Sequence, residues 1–424
     1  MKRFLEHANF VRKHSAFYAE HYKDVPQNCE DISSYPIVNQ KEFWKANENF
    51  GQGVLTSPHE SGIVFKSGGT SGNPKYSYFT AKEWDDFTEV SGRGFKHNGV
   101  KRGDRIANLF YGGELYASFI YLTDLIKSAD IGVTYPISGQ TKVATIVEML
   151  EKLNINVIAG VPTTIMNIVA YLQTHKEIKL NIDLILFGGE SFYDDQLQMI
   201  KEHFGAIAVN SVLYASVDGG ELGYFDALTC SNGEHRTFDE STIMEIVDEE
   251  TNAVIHEENK EGILLVTNLN RKLMPLIRYP VGDMAMWTQK EGSANRKFKL
   301  LGRSQEGARI GPATLYVQDI IDILNHFKSE VQILNFQIQI HHDEKKDRAI
   351  IKINPMILPS NPQELSNKII EHLYAQRTMF KELLANTIIH PITIEWCEAD
   401  MLEGNVRTGK TKKILDKRLN SYHV

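Results

Sequence analysis

A loop able to bind phosphate is the most informative chemical feature of the sequence. Residues 65–79, FKSGGTSGNPKYSYF, bring glycines, hydroxyl side chains and Lys75 together within a few positions. Glycines let the backbone turn tightly, so that its N–H groups can approach anionic oxygens. The hydroxyls of Thr70 and Ser71 add hydrogen-bond donors, and Lys75 adds a positive charge. This combination predicts a loop that holds phosphate groups.

Two common phosphate-binding loops have a different spacing. The P-loop of nucleotide triphosphatases has glycine directly before its lysine and a helix after it, whereas Pro74 precedes Lys75 here. The glycine-rich loop of protein kinases needs Gly-x-Gly-x-x-Gly, which is absent from this sequence, as is an Asp-Phe-Gly triplet. The alternating residues on both sides predict a loop between two β-strands. A glycine-rich turn without a ligand is the alternative interpretation.

The region from about 81 to 215 is predicted to form a parallel sheet. Apolar runs at 155–160 and 183–189 end in glycine, as expected for buried parallel strands. They alternate with amphipathic helices, predicted at 114–129 and 141–154, which would cover both faces of the sheet. Sites in such sheets lie at the carboxyl ends of the strands. The loops expected there are 160–164, 188–191 and 214–221.

The chain is predicted to contain two domains. Residues 3–22 have helical spacing, and residues 236–301 are rich in β-forming segments. The rest of the chain alternates helices and strands in sufficient number for a small α+β domain. We therefore predict an α/β fold with a large N-terminal domain, 1–301, in which helices cover a parallel sheet beside a β-rich subdomain. A small C-terminal α+β domain would span 302–424.

Composition restricts the class of protein. The 424 residues are 42% hydrophobic and 24% charged, which is ordinary for a globular protein. A net charge of −8 argues against binding to nucleic acids or anionic membranes, and no apolar run approaches the ~20 residues that span a bilayer. Three cysteines without paired spacing fit a reducing compartment. We expect a cytoplasmic protein that binds neither nucleic acid nor membrane.

Several segments, in order, resemble the signature motifs of the adenylate-forming superfamily, which contains the acyl- and aryl-coenzyme A synthetases. The loop at 67–75 resembles the family's [Ser/Thr]-Gly-Gly-Thr-Ser-Gly-x-Pro-Lys string. The other matching segments are LFGGESF (186–192), YASVDGG (214–220), RYPVGD (278–283), LLGRSQEG (300–307) and NVRTGKTKK (405–413).

The front of the chain resembles one branch of this superfamily in particular. HSAFYAEHY (14–22) and SSYPIVNQKEF (33–43) are similar to the phenylacetate–coenzyme A ligases. Relatives in this branch include proteins that activate aryl acids in phenazine biosynthesis and the acyl-protein synthetases of luminescent bacteria. Relatives in this branch are often homodimers.

The resemblance implies a two-step reaction. A carboxylic acid would attack the α-phosphate of ATP to give an acyl-adenylate and pyrophosphate. The branch implies that this acid is an aryl or arylacetic acid. A thiol would then take the acyl group, with coenzyme A favoured over a carrier-protein thiol. The C-terminal domain would be mobile and would swing about a hinge at Gln305. Mg²⁺ would be held by Asp218, or by Glu221.

The resemblance also assigns site residues. Lys410, Thr70 and Lys75 would be catalytic, and Asp283 would bind the ribose hydroxyls. The full nucleotide-binding set would be Ser67, Gly68, Gly69, Thr70, Ser71, Gly72, Lys75, Gly188, Gly189, Glu190, Tyr214, Ala215, Ser216, Asp283 and Arg303. For the acid we predict a pocket formed by Tyr111, Gly112, Tyr116, Gly160 and Pro162, with an aromatic ring between Tyr111 and the Gly188–Gly189 backbone.

The sequence departs from the family pattern at three points. Val217-Asp218 replaces Thr/Ser-Glu, Gln305 replaces the hinge Asp or Lys, and Pro280-Val281 replaces Arg-Thr. Two alternatives stay open. The protein could adenylate an acid and transfer it to an amine, a carrier protein or its own thiol, for which Cys397 is a candidate. The departures at Val217, Asp218 and Gln305 favour the other alternative, a protein that binds nucleotide and acid with reduced catalysis.

Overall fold

The structure is a computed structural model of the 424-residue chain. It describes residues 2–48, 53–67, 75–189, 192, 194–205, 207–303, 307–331, 333–355, 357–398, 401–403 and 413–418. The chain divides into two compact units, Met1–Gly302 and Arg303–Val424. Within the described residues, no helix is both long enough and apolar enough to cross a membrane.

The first unit contains most of the helices and strands. Its helices are α1 (Lys2–His14), α2 (Ala16–His21), α3 (Gln40–Ala46), α4 (Ala81–Phe95), α5 (Ser118–Ala129), α6 (Val143–Lys152), α7 (Pro162–Thr174) and α8 (Asp194–Phe204), with a 3₁₀ turn at Ile32–Ser34. Its strands are β1 (Ile63–Ser67), β2 (Lys75–Phe79), β3 (Arg105–Asn108), β4 (Val133–Pro136), β5 (Val157–Gly160), β6 (Leu184–Phe187), β7 (Ala208–Ser211), β8 (Tyr214–Ser216), β9 (Gly220–Gly223), β10 (Glu234–Arg236), β11 (Thr242–Val247), β12 (Glu261–Asn268), β13 (Leu276–Trp287) and β14 (Lys297–Arg303).

The predicted parallel sheet is confirmed. Its strand order is β4-β3-β5-β6-β7, and every neighbouring pair is parallel. Side chains alternate between two cores: in β6, Leu184 and Leu186 pack with α4 and α5, whereas Ile185 packs with α6, α7 and α8. Both faces of the sheet are therefore covered, which explains the continuous apolar runs in its strands.

The strand order reverses direction between β3 and β5. After β3 the chain adds β4 on one side, and then crosses back to add β5 on the other. In open α/β sheets the crevice at such a switch point, beyond the carboxyl ends of the strands, is the usual place for a ligand. The loops after β3 and β5 begin at Leu109 and Val161, and they flank this crevice.

An antiparallel sheet forms the β-rich part of the first unit, as predicted. Its order is β10-β14-β13-β12-β11, and its core contains Ile246, Leu264 and Trp287. The long strand β13 carries the segment that ends in Asp283. The short hairpin of β8 and β9 lies between the two large sheets in sequence and forms a separate two-stranded sheet.

Two of the predicted helices differ in extent from the structure. Residues 3–22 form α1 and α2 rather than one helix, because Ser15 adopts an extended conformation and its side chain caps α2 by accepting from the Tyr18 N–H. The helix predicted from residue 114 begins at Ser118. Glu114 and Leu115 have positive φ values of 48° and 63°, which a right-handed helix does not allow.

The second unit is an α+β domain. Its strands are β15 (Gly307–Ile310), β16 (Ala313–Tyr316), β17 (Ile333–Asp343), β18 (Lys346–Pro355), β19 (Thr393–Trp396) and β20 (Ile414–Asp416), and its helices are α9 (Val317–His326), α10 (Pro362–Gln376) and α11 (Thr378–Ala385). Four strands form a sheet in the order β19-β18-β17-β20. A single core joins the sheet to the helices through residues such as Ile338, Ile351 and Leu373.

Candidate active site

The predicted phosphate-binding loop joins the two strands of a β-hairpin. Strands β1 and β2 are antiparallel, and their last pair is Ser67 opposite Lys75. The two ends of the loop are therefore fixed beside each other. The Lys75 ammonium lies 5.3 Å from the centre of the Trp44 indole ring, within range of a cation–π interaction.

Two aspartates near this hairpin are bound to tyrosines in a crosswise arrangement. The Tyr214 hydroxyl donates to Asp283 Oδ2 at 2.5 Å, and the Tyr279 hydroxyl donates to Asp218 Oδ2 at 2.9 Å. Each tyrosine lies four positions before the aspartate of its own segment and bonds to the aspartate of the other. We call this set the crossed Tyr–Asp pairs. It ties the turn after β8 to strand β13.

The Tyr279–Asp218 pair extends toward the hairpin. Tyr279 is fully buried, and its hydroxyl accepts a hydrogen bond from Trp44 Nε1 at 2.9 Å. Burial, followed by the nearby Asp218 carboxylate, raises the pKa of Tyr279 well above its ordinary value, so that it remains a proton donor. Trp44 thus contacts both Lys75 at the base of the loop and, through Tyr279, the carboxylate of Asp218.

Alternation along β8 separates polar from apolar side chains. Ala215 and Val217 pack against the aromatic cluster of Phe65, Phe79 and Trp84. Tyr214 and Asp218 make the crossed pairs instead, and the Ser216 hydroxyl accepts from the Gly219 N–H at 2.8 Å. Val217 replaces a hydroxyl residue of the family, and its side chain here completes an apolar core.

Asp218 has the chemistry expected of a single-carboxylate magnesium ligand. Its side chain is half-buried, with Oδ1 accepting from the Gly219 N–H at 3.1 Å and Oδ2 held by Tyr279. Within the described residues, no group of three or more His, Cys, Asp or Glu side chains is arranged to hold a metal ion. Mg²⁺ usually binds one or two protein carboxylates together with substrate phosphates and water, so a single aspartate fits this ion.

Glu221, the alternative ligand, lies in a different environment. It is 1% exposed, and Oε2 accepts a hydrogen bond from Asn268 Nδ2 at 3.2 Å. Burial raises the pKa of Glu221 to about 7, against the effect of its hydrogen bonds and of Arg271. A carboxyl group that is buried and partly protonated near neutral pH is a weaker candidate for Mg²⁺ than Asp218.

The glycines after β6 lie at the carboxyl edge of the parallel sheet. Gly189 has a φ of +78°, a conformation that favours glycine. The ring of Phe110 lies against Gly188, 3.5 Å from the position that a Cβ would occupy. We predicted that an aromatic ring of the acid would fit between Tyr111 and the backbone of these glycines. In the structure, the aromatic side chain that lies against Gly188 is Phe110.

The residues predicted for the acid pocket lie around the switch point of the sheet. The Tyr111 hydroxyl is hydrogen-bonded to Thr164 Oγ1 at 2.9 Å, which joins the loop after β3 to the first turn of α7. Gly160 ends β5 and Pro162 begins α7. Gly112 follows Tyr111, and Tyr116 has 41% of its surface exposed.

Several predicted site residues lie outside the described residues. They are Gly68, Gly69, Thr70, Ser71, Gly72, Glu190, Gln305 and Lys410. Ser67 and Arg303 are described as the ends of strands β1 and β14.

Four residues that contact predicted site residues were not predicted from the sequence: Trp44, Thr164, Arg271 and Tyr279. The repeated Tyr-x-x-x-Asp spacing at 214–218 and 279–283 is the one sequence signal that could have indicated Tyr279. Trp44 and Arg271 meet the site only through contacts between positions far apart in the chain, for which periodicity gives no signal.

Comparisons with known proteins find similarity to several ligases. No family model matches the chain. It is 29% identical over 261 residues to indoleacetate–lysine synthetase of Pseudomonas savastanoi, a match that spans 60% of each protein. It is 22% identical over 415 residues to phenylacetate–coenzyme A ligase of Thermus thermophilus, covering 92% of this chain and 88% of the ligase.

The fold agrees with that of a solved ligase. The structure of 2-hydroxyisobutyryl-CoA ligase with 2-HIB-AMP and CoA superposes with a TM-score of 0.68 at 17% identity, covering 98% of this chain and 88% of that one. The relatives, the order of the motifs and the fold agree. The chain is similar to members of the adenylate-forming superfamily, in its phenylacetate–coenzyme A ligase-like branch.

Proposed function

We propose that the protein uses ATP to activate a carboxylic acid as an acyl-adenylate and then transfers the acyl group to a thiol, with coenzyme A as the favoured acceptor. The observation that carries the proposal is the set of crossed Tyr–Asp pairs. It ties Asp283 to the turn that carries Asp218, and Asp218 is connected through Tyr279 and Trp44 to Lys75, at the base of a loop with the composition of a phosphate-binding loop. One aspartate would bind the ribose and the other the cation.

The first half-reaction brings two anions together. The acid carboxylate attacks the α-phosphorus of ATP, the bond to the bridging oxygen breaks, and pyrophosphate leaves. In this proposal the backbone of Gly68–Gly72, with Thr70, Ser71 and Lys75, holds the β- and γ-phosphates. Lys410 bridges the carboxylate and the α-phosphate. Fixed donors aimed at the charge that develops are the largest source of rate in such transfers.

The other proposed contacts orient the nucleotide. Asp283 accepts hydrogen bonds from the ribose hydroxyls, Gly188, Gly189 and Glu190 line the adenine, and Asp218 holds Mg²⁺. When bound, Mg²⁺ supplies positive charge that offsets the negative charge of the phosphate oxygens. Tyr279 keeps the Asp218 carboxylate in one orientation, and Tyr214 does the same for Asp283.

The second half-reaction needs Lys410 to withdraw. The second unit would rotate about a hinge at Gln305, and the thiol would attack the acyl carbon and release AMP. Lid and domain motions of this kind limit the turnover rate of many enzymes. The phenylacetate–coenzyme A ligases and the CoA-bound 2-hydroxyisobutyryl-CoA ligase support a thiol acceptor.

An amine acceptor is the second candidate. The relative with 29% identity is an indoleacetate–lysine synthetase, and an acyl acid amido synthetase superposes with a TM-score of 0.55. Both names describe the joining of an acid to an amino group. Because the synthetase match spans only 60% of each chain, whereas the CoA-ligase matches of Thermus and Aromatoleum span over 90% of this chain, we rank coenzyme A first.

A pyrophosphate-release screen tests the proposal. The full chain is incubated with ATP, Mg²⁺ and a panel of arylacetic, aryl, indole and short aliphatic acids, and acyl-AMP is sought by mass spectrometry. Products are then compared with coenzyme A, with lysine and with neither. A thioester that requires coenzyme A supports the first candidate, and an amide supports the second. Absence of pyrophosphate and acyl-AMP with every acid contradicts both.

Lys410→Gln separates catalysis from folding in the same assay. We expect it to slow acyl-adenylate formation by about 10²-fold or more, because a charge on the transferring phosphoryl group loses its partner. Lys417→Gln is the matched control: Lys417 lies in the same segment and makes a partly exposed ion pair with Glu403, so that its loss should change little.

A further inference from the structure

The largest fully buried side chain in the described part of the protein is an arginine without an assigned role. Arg271 is 1% exposed. Burial lowers the pKa of Arg271 to about 10, although the carboxylates of Glu83, Glu221 and Asp218 act in the opposite direction. Since this pKa is still well above neutral pH, the guanidinium is charged there. Burying a charge in a protein costs on the order of several kcal/mol unless polar partners hold it. Its partners therefore indicate what it does.

The guanidinium of Arg271 connects two elements of the proposed phosphate site. NH2 donates to the main-chain oxygen of Tyr78 at 3.0 Å, in strand β2 just beyond the phosphate loop. NH1 donates to the main-chain oxygen of Asp218 at 3.3 Å. The flat face of the group lies 3.6 Å from the centre of the Phe79 ring. These contacts join the backbone of the hairpin to the backbone of the turn that carries Asp218.

Arg271 is itself held firmly. The main-chain N–H of Arg271 donates to Asn268 Oδ1 at 3.3 Å. The next two N–H groups, of Lys272 and Leu273, donate to Glu83 Oε1 at 2.6 and 2.7 Å. Glu83 lies in the first turn of α4, where it forms a capping box with Thr80. The arginine therefore extends from a backbone anchored to a helix terminus.

The Asp218 turn needs an external support of this kind. Asn268 Nδ2 donates to the Gly219 oxygen at 3.2 Å, and Gly220 has a φ of +77°, so the turn is tight. Tyr279 orients the Asp218 carboxylate, but a side-chain bond alone does not fix the distance from the turn to the hairpin. Arg271 is a rigid, planar donor that bonds both at once.

We infer that Arg271 is a positioning residue that sets the separation between the phosphate-binding hairpin and the Asp218 carboxylate, and thereby the affinity for the metal-bound form of ATP. This inference rests on the proposed function. Since Arg271 acts on the cation side of the site, its loss should affect binding of Mg²⁺-ATP more than binding of ATP alone. A merely structural role would affect both equally.

Arg296 provides a matched control. It is also buried, it stacks on Trp287 with 4.3 Å to the ring centre, and it donates to the main-chain oxygens of Gln289 and His256, each at 2.7 Å. It has the same types of contact as Arg271, but its partners lie in the β-rich part of the first unit. Arg296→Met should therefore lower stability without changing nucleotide binding.

The test compares ATP affinity with and without the metal. Calorimetry on the full-length chain measures ATP binding in Mg²⁺ and in EDTA, and electron paramagnetic resonance follows Mn²⁺ binding in the presence of ATP. We expect Arg271→Met to weaken ATP binding in Mg²⁺ about tenfold and to change binding in EDTA less than about twofold, because about one charge-assisted contact is lost. Arg271→Lys should be intermediate, because it keeps the charge but not the planar fork.

Two outcomes would overturn the inference. One is an unchanged ratio of the two affinities in Arg271→Met, which equal weakening in Mg²⁺ and in EDTA would also produce. The other is the same change of ratio in Arg296→Met. If Arg271→Met does not fold, the same ratio measured in Arg271→Lys decides the matter. If the native protein binds no ATP and releases no pyrophosphate with any acid, the proposed function is wrong and this inference is wrong as well. If the native protein is active and only the ratio is unchanged, this inference alone fails.

Discussion

The two halves of the crossed Tyr–Asp pairs have the same spacing and different surroundings. Tyr279 is fully buried and connects Asp218 to Trp44, and the Asp218 turn is bound to Arg271. Tyr214 is half-buried, and its ring lies near His235 and Phe298, at 5.8 and 6.0 Å between ring centres. One aspartate is thus enclosed in a polar network, and the other borders an aromatic wall.

This difference matches the work proposed for each aspartate. A group that holds a cation beside a reacting phosphate must stay fixed while charge moves, so that a preorganised network increases the rate. A group that accepts hydrogen bonds from ribose contributes to binding in the ground state as well as in the transition state. We therefore expect the Asp218 half to affect turnover as well as the binding of Mg²⁺-ATP, and the Asp283 half to affect affinity alone.

Asp218→Asn should have the largest effect and would test the first half of this contrast. We expect the rate of acyl-adenylate formation to fall by about 10²–10³-fold, because one fixed negative ligand of the cation is lost at the reacting phosphate. Single-turnover measurement with ATP and the accepted acid gives this rate. Asp248→Asn is the control, since Asp248 caps an exposed turn. An unchanged rate would remove Asp218 from the chemistry.

Asp283→Asn should have a smaller effect of another kind. Hydrogen bonds to a charged acceptor contribute about 1.5–3 kcal/mol, which corresponds to roughly a 10- to 100-fold increase in KM for ATP, with kcat nearly unchanged. Steady-state kinetics at saturating acid separate the two constants, and calorimetry with AMP gives the affinity directly. A fall in kcat at constant KM would mean that the roles of the two aspartates are exchanged.

The tyrosines allow the same contrast to be measured as stability. Tyr279→Phe should lower the free energy of unfolding by about 1–3 kcal/mol, because the Trp44 N–H and the Asp218 carboxylate each lose a buried partner. Tyr214→Phe should cost about 1 kcal/mol or less, because its site is more open to water. Urea unfolding of both variants measures this difference. Equal losses would show that the two pairs are energetically alike.

Glu221 should make stability depend on pH below neutrality. Burial raises the pKa of Glu221 from an ordinary value near 4.5 to about 7. The folded state therefore holds the proton more tightly than the unfolded state, and stability falls as pH rises from about 4.5 to about 7. Between about pH 6 and about pH 7 the change should be about 1 kcal/mol.

Glu221→Gln provides the comparison for this pH dependence. The variant removes the titrating proton and keeps the shape of the side chain, so its unfolding free energy should lack this contribution in the same pH window. Urea unfolding at several pH values gives both curves. Parallel curves for the native protein and the variant would show that Glu221 is not the group that titrates.

Much of the fold was predictable because local pattern and tertiary structure agree. The parallel strands β5 and β6, the hairpin around the phosphate loop and the elements of the second unit follow from apolar periodicity and from glycine positions. The break at Ser15 was not predictable from periodicity, since both α1 and α2 bury one apolar face and the spacing continues across the break.

The candidate site was predictable only in part, for a different physical reason. Asp218 and Asp283 lie in motifs of recognisable spacing, so the sequence indicated them. Trp44 and Arg271 contribute through contacts with Tyr279, 235 positions away, and with Tyr78, 193 positions away. Such contacts depend on how the chain packs in three dimensions. Val217 illustrates the same limit, because only the packing shows that it completes an apolar core.

The packing of residues 2–48 has a consequence for synthesis of the chain. Phe4, Val11 and Phe43 are buried in the same core as Leu269 and Tyr279, and the Tyr18 hydroxyl bonds to the oxygen of Pro275. On the ribosome, the earliest helices must therefore wait for residues made much later before their apolar faces are covered. Such late closure slows folding and exposes apolar surface, so we expect the nascent chain to need protection from aggregation until those later residues are made.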